Sequence, residues 1–171
     1  MENLYHMIEE DYFYNINVTL NFIDNLYEEL NHCQWYTSST GMCRSDIVGE
    51  TRILIEKFMP FEVHCCGFFK NTAEWQYPIH KDIKRHASFN MQLCDDSTDY
   101  HIYSYTEDLK EKISIPYYKN KPVLLNTKKF HSVNNMSKDK IRYILTVGCA
   151  TESYTVIRDR FKQLTIKHKT I

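Results

Sequence analysis

Glycine is scarce in this chain, four residues in 171, and neither a repeat nor a low-complexity segment occurs. With 43% apolar and 14% aromatic content, including 13 tyrosines, this excludes disorder beyond the ends and describes a folded globular protein. Cys33, Cys43, Cys65, Cys66, Cys94 and Cys149 show no C-x-x-C spacing, so neither a disulfide framework nor a zinc ribbon is expected. His64 and Cys66 would share a strand face and could ligate a soft metal, but buried thiols more commonly behave as small hydrophobes. No apolar run approaches membrane-spanning length. The acidic opening, residues 1–10, lacks the positive leader and apolar segment of a secretory signal, so a soluble, cytoplasmic protein is expected. Charge of one sign is also missing: 21 basic against 22 acidic residues give a net −1, which excludes an electrostatic drive toward phosphate backbones and disfavours strong nucleic-acid binding. Arg158, Arg160, Lys162, Lys167 and Lys169 read as a solvated tail face.

What is present gathers around residues 77–93. His80 and Asp82 lie two apart, and on an extended backbone both project to one side while Lys81 points elsewhere. Such a pair alone makes a surface hydrogen bond more often than a metal site. A second histidine, His131 in Phe130-His131-Ser132-Val133-Asn134-Asn135, follows the strand-like Pro122–Asn126 and could supply a third ligand. Two imidazoles and one carboxylate leave three adjacent positions of an octahedral ion open, the arrangement that suits non-haem Fe(II). Eleven residues on, Arg142 sits in an otherwise apolar strand, 141–148. A charge placed there needs an anionic ligand or an internal acid opposite its planar fork.

In that order and at those separations, His80-x-Asp82, His131 and Arg142 resemble the iron(II)/2-oxoglutarate-dependent oxygenases. The run 130–135 followed by Arg142-Tyr143 is most similar to the aspartyl/asparaginyl β-hydroxylase-like branch and its small phage and bacterial relatives. The likeness spans roughly residues 61–149. It implies a mainly β protein with flanking helices and a double-stranded β-helix (jelly-roll, cupin-like) core. It further implies Fe(II) on His80, Asp82 and His131, and 2-oxoglutarate with its far carboxylate on Arg142. With O2 as oxidant, a C–H bond of an amino-acid side chain, free or in a protein, would be hydroxylated as succinate and CO2 are released. One departure is plain: some members of the branch, its namesake included, lack the metal-binding carboxylate that Asp82 provides here. That favours a complete triad and loosens the sub-branch.

The remainder is expected to support this site within a single domain, 1–171: helical support over 1–60, a β core over about 61–149 and a C-terminal extension over 150–171. Residues 18–31, behind an Asn17 cap, place Leu20, Ile23, Tyr27 and Leu30 on one helical stripe. Residues 32–49 read as a connection, 50–58 as either a short helix or a strand, and 61–70 as the first clear strand. Ala87, Phe89, Met91 and Leu93 alternate with His86, Ser88, Asn90 and Gln92. If helices cover the apolar set, the polar set faces the site, and Asn90, then Ser88, become candidates for orienting 2-oxoglutarate or substrate. A solvated edge strand explains the same alternation. Strands are expected at 100–105, 113–118 and 122–126, and a closing helix at 153–163. Trp75, Tyr77 and Tyr143 could flank the ligand, while His64, His86 and His101 are more simply structural or exposed. Two rivals carry the same triad: a cupin-like protein that binds metal and a small anion without oxidising anything, and a Zn²⁺ hydrolase, which has no evident need for Arg142.

Overall fold

The computed structural model describes residues 10–16, 23–37, 42–95 and 99–168, with the side chains of the last helix described as far as Leu164. The chain runs β1 (Phe13–Asn15), α1 (Ile23–Asn31), β2 (Tyr36–Thr37), β3 (Cys43–Asp46), α2 (Gly49–Phe58), β4 (Cys65–Asn71), β5 (Gln76–His80) and β6 (Ala87–Gln92). It continues through β7 (Tyr100–Tyr105), β8 (Lys112–Ile115), β9 (Pro122–Asn126), β10 (Phe130–Asn135), β11 (Arg142–Cys149) and α3 (Tyr154–His168). Seven strands form one sheet in the order β1-β9-β6-β11-β4-β3-β2, and four form a second in the order β5-β10-β7-β8. Neighbouring strands in both sheets are antiparallel. This is the mainly β, jelly-roll architecture with flanking helices.

Alternation along the strands gives the large sheet two unlike faces. Outward-pointing Phe68, Phe89, Met91, Leu124, Leu145 and Val147 pack with Leu26 of α1, Ile55 of α2, and Ile157 and Phe161 of α3 in one apolar cluster. Helices from both ends of the chain thus cover one face. Full burial of such a side chain stabilises the fold by roughly 1.5–3 kcal/mol. Between the sheets, Tyr12, Phe13, Ile102, Ile115, Val123 and Leu125 form a smaller cluster around β1, β7, β8 and β9. Beside this cluster the interior mixes apolar Phe69, Val133 and Ile144 with polar side chains, and the candidate site residues lie there.

Several expectations shift. The stretch 32–49 is not only a connection: β2 and β3 extend the large sheet beyond β4. Their short span and small polar residues hide them from a periodicity argument. The first 60 residues therefore supply three strands besides two helices. The ambiguous 50–58 is helical. The strand read at 61–70 runs over 65–71, and the one read at 113–118 over 112–115. The first helix is seen from Ile23, with Leu26 as its fully buried residue; Asn17 and Leu20 lie outside the described residues. The closing helix extends to His168. Among the described residues, no helix is long and apolar enough to cross a membrane. The tail bases Arg158 and Lys162 face Glu10, and Arg160 faces Glu152. Lys167 and Lys169 have no described side chains.

Candidate metal centre

His80 closes β5 directly opposite His131 in β10, so a pair 51 positions apart in sequence meets through sheet register. The register shifts between His131 and Val133, an irregularity of the kind that re-aims a side chain. The ring centroids lie 4.2 Å apart at an interplanar angle of 52°. Asp82 follows just beyond β5, its Oδ1 3.6 Å from His80 Nε2. One potential ligand atom from each of His80, Asp82 and His131 lies within 4.8 Å of the others.

Local hydrogen bonds decide which atoms are offered. His80 Nδ1 is 2.9 Å from the Pro78 carbonyl, and His131 Nδ1 is 3.0 Å from that of Lys129. A carbonyl only accepts, so each Nδ1 carries a proton, which leaves Nε2 as the atom each ring would offer a metal. Outer hydrogen bonds of this kind orient metal-binding imidazoles. Burial pushes the His131 imidazole down to about 4, so at neutral pH it is uncharged and ready to ligate. Burial alone would raise the Asp82 carboxyl, but neighbouring His80 and Arg85 outweigh it and hold the group at about 2. Arg85 Nη2 lies 2.8 Å from Asp82 Oδ2.

An open cavity adjoins this cluster. His80 and His131 line it together with Arg85, Ser88, Asn90, Thr127, Ile144 and Thr146. Asn71, Trp75 and Tyr77 also line it. Trp75 stacks on Tyr77 at 5.7 Å, and Tyr77 meets His80 edge-on at 4.5 Å, a short aromatic ladder beside the imidazole. β6 is a central strand between β9 and β11, and all six of its residues are buried, which rules out the solvated-edge reading. Ser88 and Asn90 face the cavity as expected, but they are engaged with each other: Ser88 Oγ donates to Asn90 Oδ1 at 3.0 Å, and Asn90 Nδ2 donates to Tyr117 Oη at 3.0 Å.

Arg142 alternates onto the same face of β11 as the cavity-lining Ile144 and Thr146, but it lies behind the cavity wall rather than among the lining residues and is 0% exposed. Its Nε donates to Gln92 Oε1 at 3.2 Å, and its guanidinium lies 5.4 Å from the ring centroid of Tyr100 and 5.2 Å from that of Tyr117. Nη1 and Nη2 are buried without a hydrogen-bond partner among the described residues. Burial pushes the group down to about 10, still cationic at neutral pH. Its register partner on β4, Asn71, is 2% exposed and has an equally unmatched Oδ1. A buried cation with two idle donors fits an anion that the described residues do not supply.

Tyr143, on the opposite face of β11, packs in the helix-side cluster and meets Trp35 at 5.8 Å, so it does not flank the cavity. His64 is exposed, and His101 stacks on Tyr103 at 5.4 Å. The cysteines are free. Asn71, Tyr117 and Arg85 were not singled out from the sequence. Only the Asp82–Arg85 spacing was available as a signal, because the other two reach the site through long-range pairing.

No protein-family model and no curated protein sequence matches the chain. Solved structures match in shape. A 2OG-Fe(II) oxygenase-family oxidoreductase from Burkholderia pseudomallei superposes with a TM-score of 0.68 at 8% identity, over 84% of this chain and 87% of that one. A Trichoplax adhaerens prolyl hydroxylase, in complex with a hypoxia inducible factor oxygen degradation domain peptide fragment, gives 0.57 at 13% identity, over 90% and 89%. The Drosophila melanogaster CENP-C cupin domain gives 0.50 at 7%, over 70% and 77%. The likeness shows the fold. At these identities it carries no residue across, and the site stands on its own geometry.

Proposed function

We propose that this protein is an Fe(II)- and 2-oxoglutarate-dependent oxygenase that hydroxylates a C–H bond of an amino-acid side chain, free or in a protein. The observation that carries the reading is a pairing within one barrel interior: a two-imidazole, one-carboxylate cluster, and a fully buried guanidinium with two unmatched nitrogens. The first suits a divalent ion with open positions. The second suits the far carboxylate of a diacid chelated to that ion. A hydrolytic zinc site has no evident use for the second.

In this reading His80 Nε2, His131 Nε2 and Asp82 hold the iron. When bound, iron and 2-oxoglutarate supply the activation of O2 that oxidises the substrate C–H bond as succinate and CO2 are released. Arg142 receives the far carboxylate on its free Nη pair, and Gln92 keeps the fork turned inward. Tyr117 Oη accepts from Asn90, which leaves its own hydrogen for the same carboxylate. Asn90 and Ser88 thus act on the co-substrate through Tyr117. Asn71 offers a further polar contact at the cavity wall, and Trp75 and Tyr77 form an apolar rim where a side chain can be held and water excluded. The peptide bound by the Trichoplax neighbour supports a side chain within a protein as the substrate class.

The CENP-C cupin likeness supports a second reading, a metal and small-anion binding protein with no oxidative activity. Anaerobic titration of the Fe(II) protein with 2-oxoglutarate, followed by its visible charge-transfer band, tests the shared part. The band is expected in wild type, absent in His131→Ala and weakened in Arg142→Ala; a metal-loaded wild type without it would sink the oxygenase reading. Succinate release on admitting O2, with and without candidate substrates, then separates the oxygenase from the silent binder.

A further inference from the structure

Arg85 is held more firmly than an incidental ion-pair partner would need. It follows Asp82 by three positions, and its Nη2 lies 2.8 Å from Asp82 Oδ2. Its carbonyl accepts from Thr127 Oγ1 at 2.9 Å, while the Asp82 N–H donates to the Thr127 carbonyl at 2.9 Å. Both members of the pair are therefore tied to one buried threonine at the end of β9. Lys128 Nζ adds bonds to the Asp82 and Ile83 carbonyls at 3.2 and 2.8 Å, and the His86 N–H reaches the Cys149 carbonyl at 2.8 Å. Below the arginine stem is Gly148 of β11. A Cβ there would come within 2.6 Å of Arg85 Cδ and 2.6 Å of Cys65 Sγ, so the glycine forms the floor of the slot that the stem fills.

A carboxylate can give a metal one oxygen or both. Beside two imidazoles, one oxygen leaves three of six positions free, and two oxygens leave only two. A co-substrate that chelates through two atoms would then fill the sphere and exclude a gas molecule. In this structure Oδ2 forms an ion pair with Arg85 at 2.8 Å, without an aligned hydrogen bond, and Oδ1 faces His80 Nε2 at 3.6 Å. We propose that Arg85 is a positioning residue that reserves Asp82 Oδ2, so that Asp82 gives a divalent ion Oδ1 alone and a position stays open beside the chelated co-substrate. This rests on the metal-centre reading above. The planar fork suits the task because it fixes the direction of its partner oxygen, which an ammonium does not.

Nitric oxide is the probe for that position, read by the electron paramagnetic resonance signal of its adduct with the anaerobic Fe(II) protein at saturating iron and 2-oxoglutarate. Wild type should give the full signal. Arg85→Gln should give about tenfold less, within the range that loss of an outer partner produces at metal sites, with Arg85→Lys in between. Gly148→Ala keeps every charge but displaces the stem, and should lower the signal in the same direction by less. Thermal unfolding of each metal-free variant establishes that it is folded, and Gly148→Ala decides the matter should Arg85→Gln not fold. Full nitric oxide uptake in the folded variants overturns the proposal, even if their iron affinity has fallen. A wild type that binds neither iron nor 2-oxoglutarate removes the metal-centre reading, and the proposal with it.

Discussion

The two ends of the barrel interior are finished differently. At the His80–Asp82–His131 end, both Nδ1 atoms bond to backbone carbonyls, and Asp82 Oδ2, which has no aligned hydrogen bond among the described residues, is balanced by the charge of Arg85 at 2.8 Å. At the Arg142 end, two guanidinium nitrogens and the Asn71 Oδ1 have none among the described residues. One end is organised ahead of its ligand. The other holds donors and an acceptor that the described residues leave unmatched, an imbalance that a bound anion would relieve.

The largest effect should come from the organised end. His131→Ala is expected to abolish Fe(II) binding in an anaerobic titration while the metal-free protein still unfolds cooperatively. If iron affinity persisted, the ready-made end would lie elsewhere. Arg142→Met should separate the ends in the opposite sense. It should stabilise the ligand-free protein by about 1–4 kcal/mol in urea unfolding, as replacement of a strained buried charge by a well-packed apolar chain can, and should abolish the response to 2-oxoglutarate. In wild type, 2-oxoglutarate at a hundred times its Kd should add about 2.7 kcal/mol. A destabilised Arg142→Met would show that the guanidinium is already balanced.

Acid should act on the metal end of the metal-free protein. Unfolded imidazole titrates near 6.5, whereas burial holds folded His131 at about 4. Between those values the unfolded chain takes up a proton that the folded chain refuses. Stability fully present above pH ~6.5 is therefore lost as pH falls toward 4, by up to roughly 3 kcal/mol. Asp82, ordinarily at 3.8 and held at about 2, adds a further loss below pH 4. Urea unfolding across this range should show the upper limb flattened in His131→Gln. Tyr117→Phe is a smaller test of the Arg142 end: losing one hydrogen bond to a carboxylate, worth ~1.5–3 kcal/mol, should weaken 2-oxoglutarate binding about tenfold or more in calorimetry. Tyr143→Phe, on the helix side of the same strand, should leave 2-oxoglutarate affinity and stability within about 0.5 kcal/mol of wild type.

The metal end was legible because His80 and Asp82 stand two apart and His131 follows a strand-like run, and β6, β7, β9, β10 and β11 fall close to the strands expected around them. Arg142 was legible for a different reason, as a charge inside an apolar run. The rest of its surroundings was not. Gln92, Tyr117 and Asn71 reach it only through the pairing of β6 and β4 with β11 and the path of the chain after β8, and no local pattern encodes that register. β2 and β3 escaped because strands of two and four residues carry too few alternations to register. For β6, alternation revealed two faces, but only its central place in the sheet reveals that both are buried.

The pairing of His80 with His131 across β5 and β10 also bears on the order of assembly. Two contributors to the centre are neighbours in sequence, but the third arrives only when the chain between them has folded into β6–β9 and closed a long loop. A metal ion taken by this cluster would therefore have no complete seat until β5 and β10 have paired. If those contacts form after the rate-limiting barrier, Fe(II) added during refolding should leave the folding rate unchanged and slow unfolding.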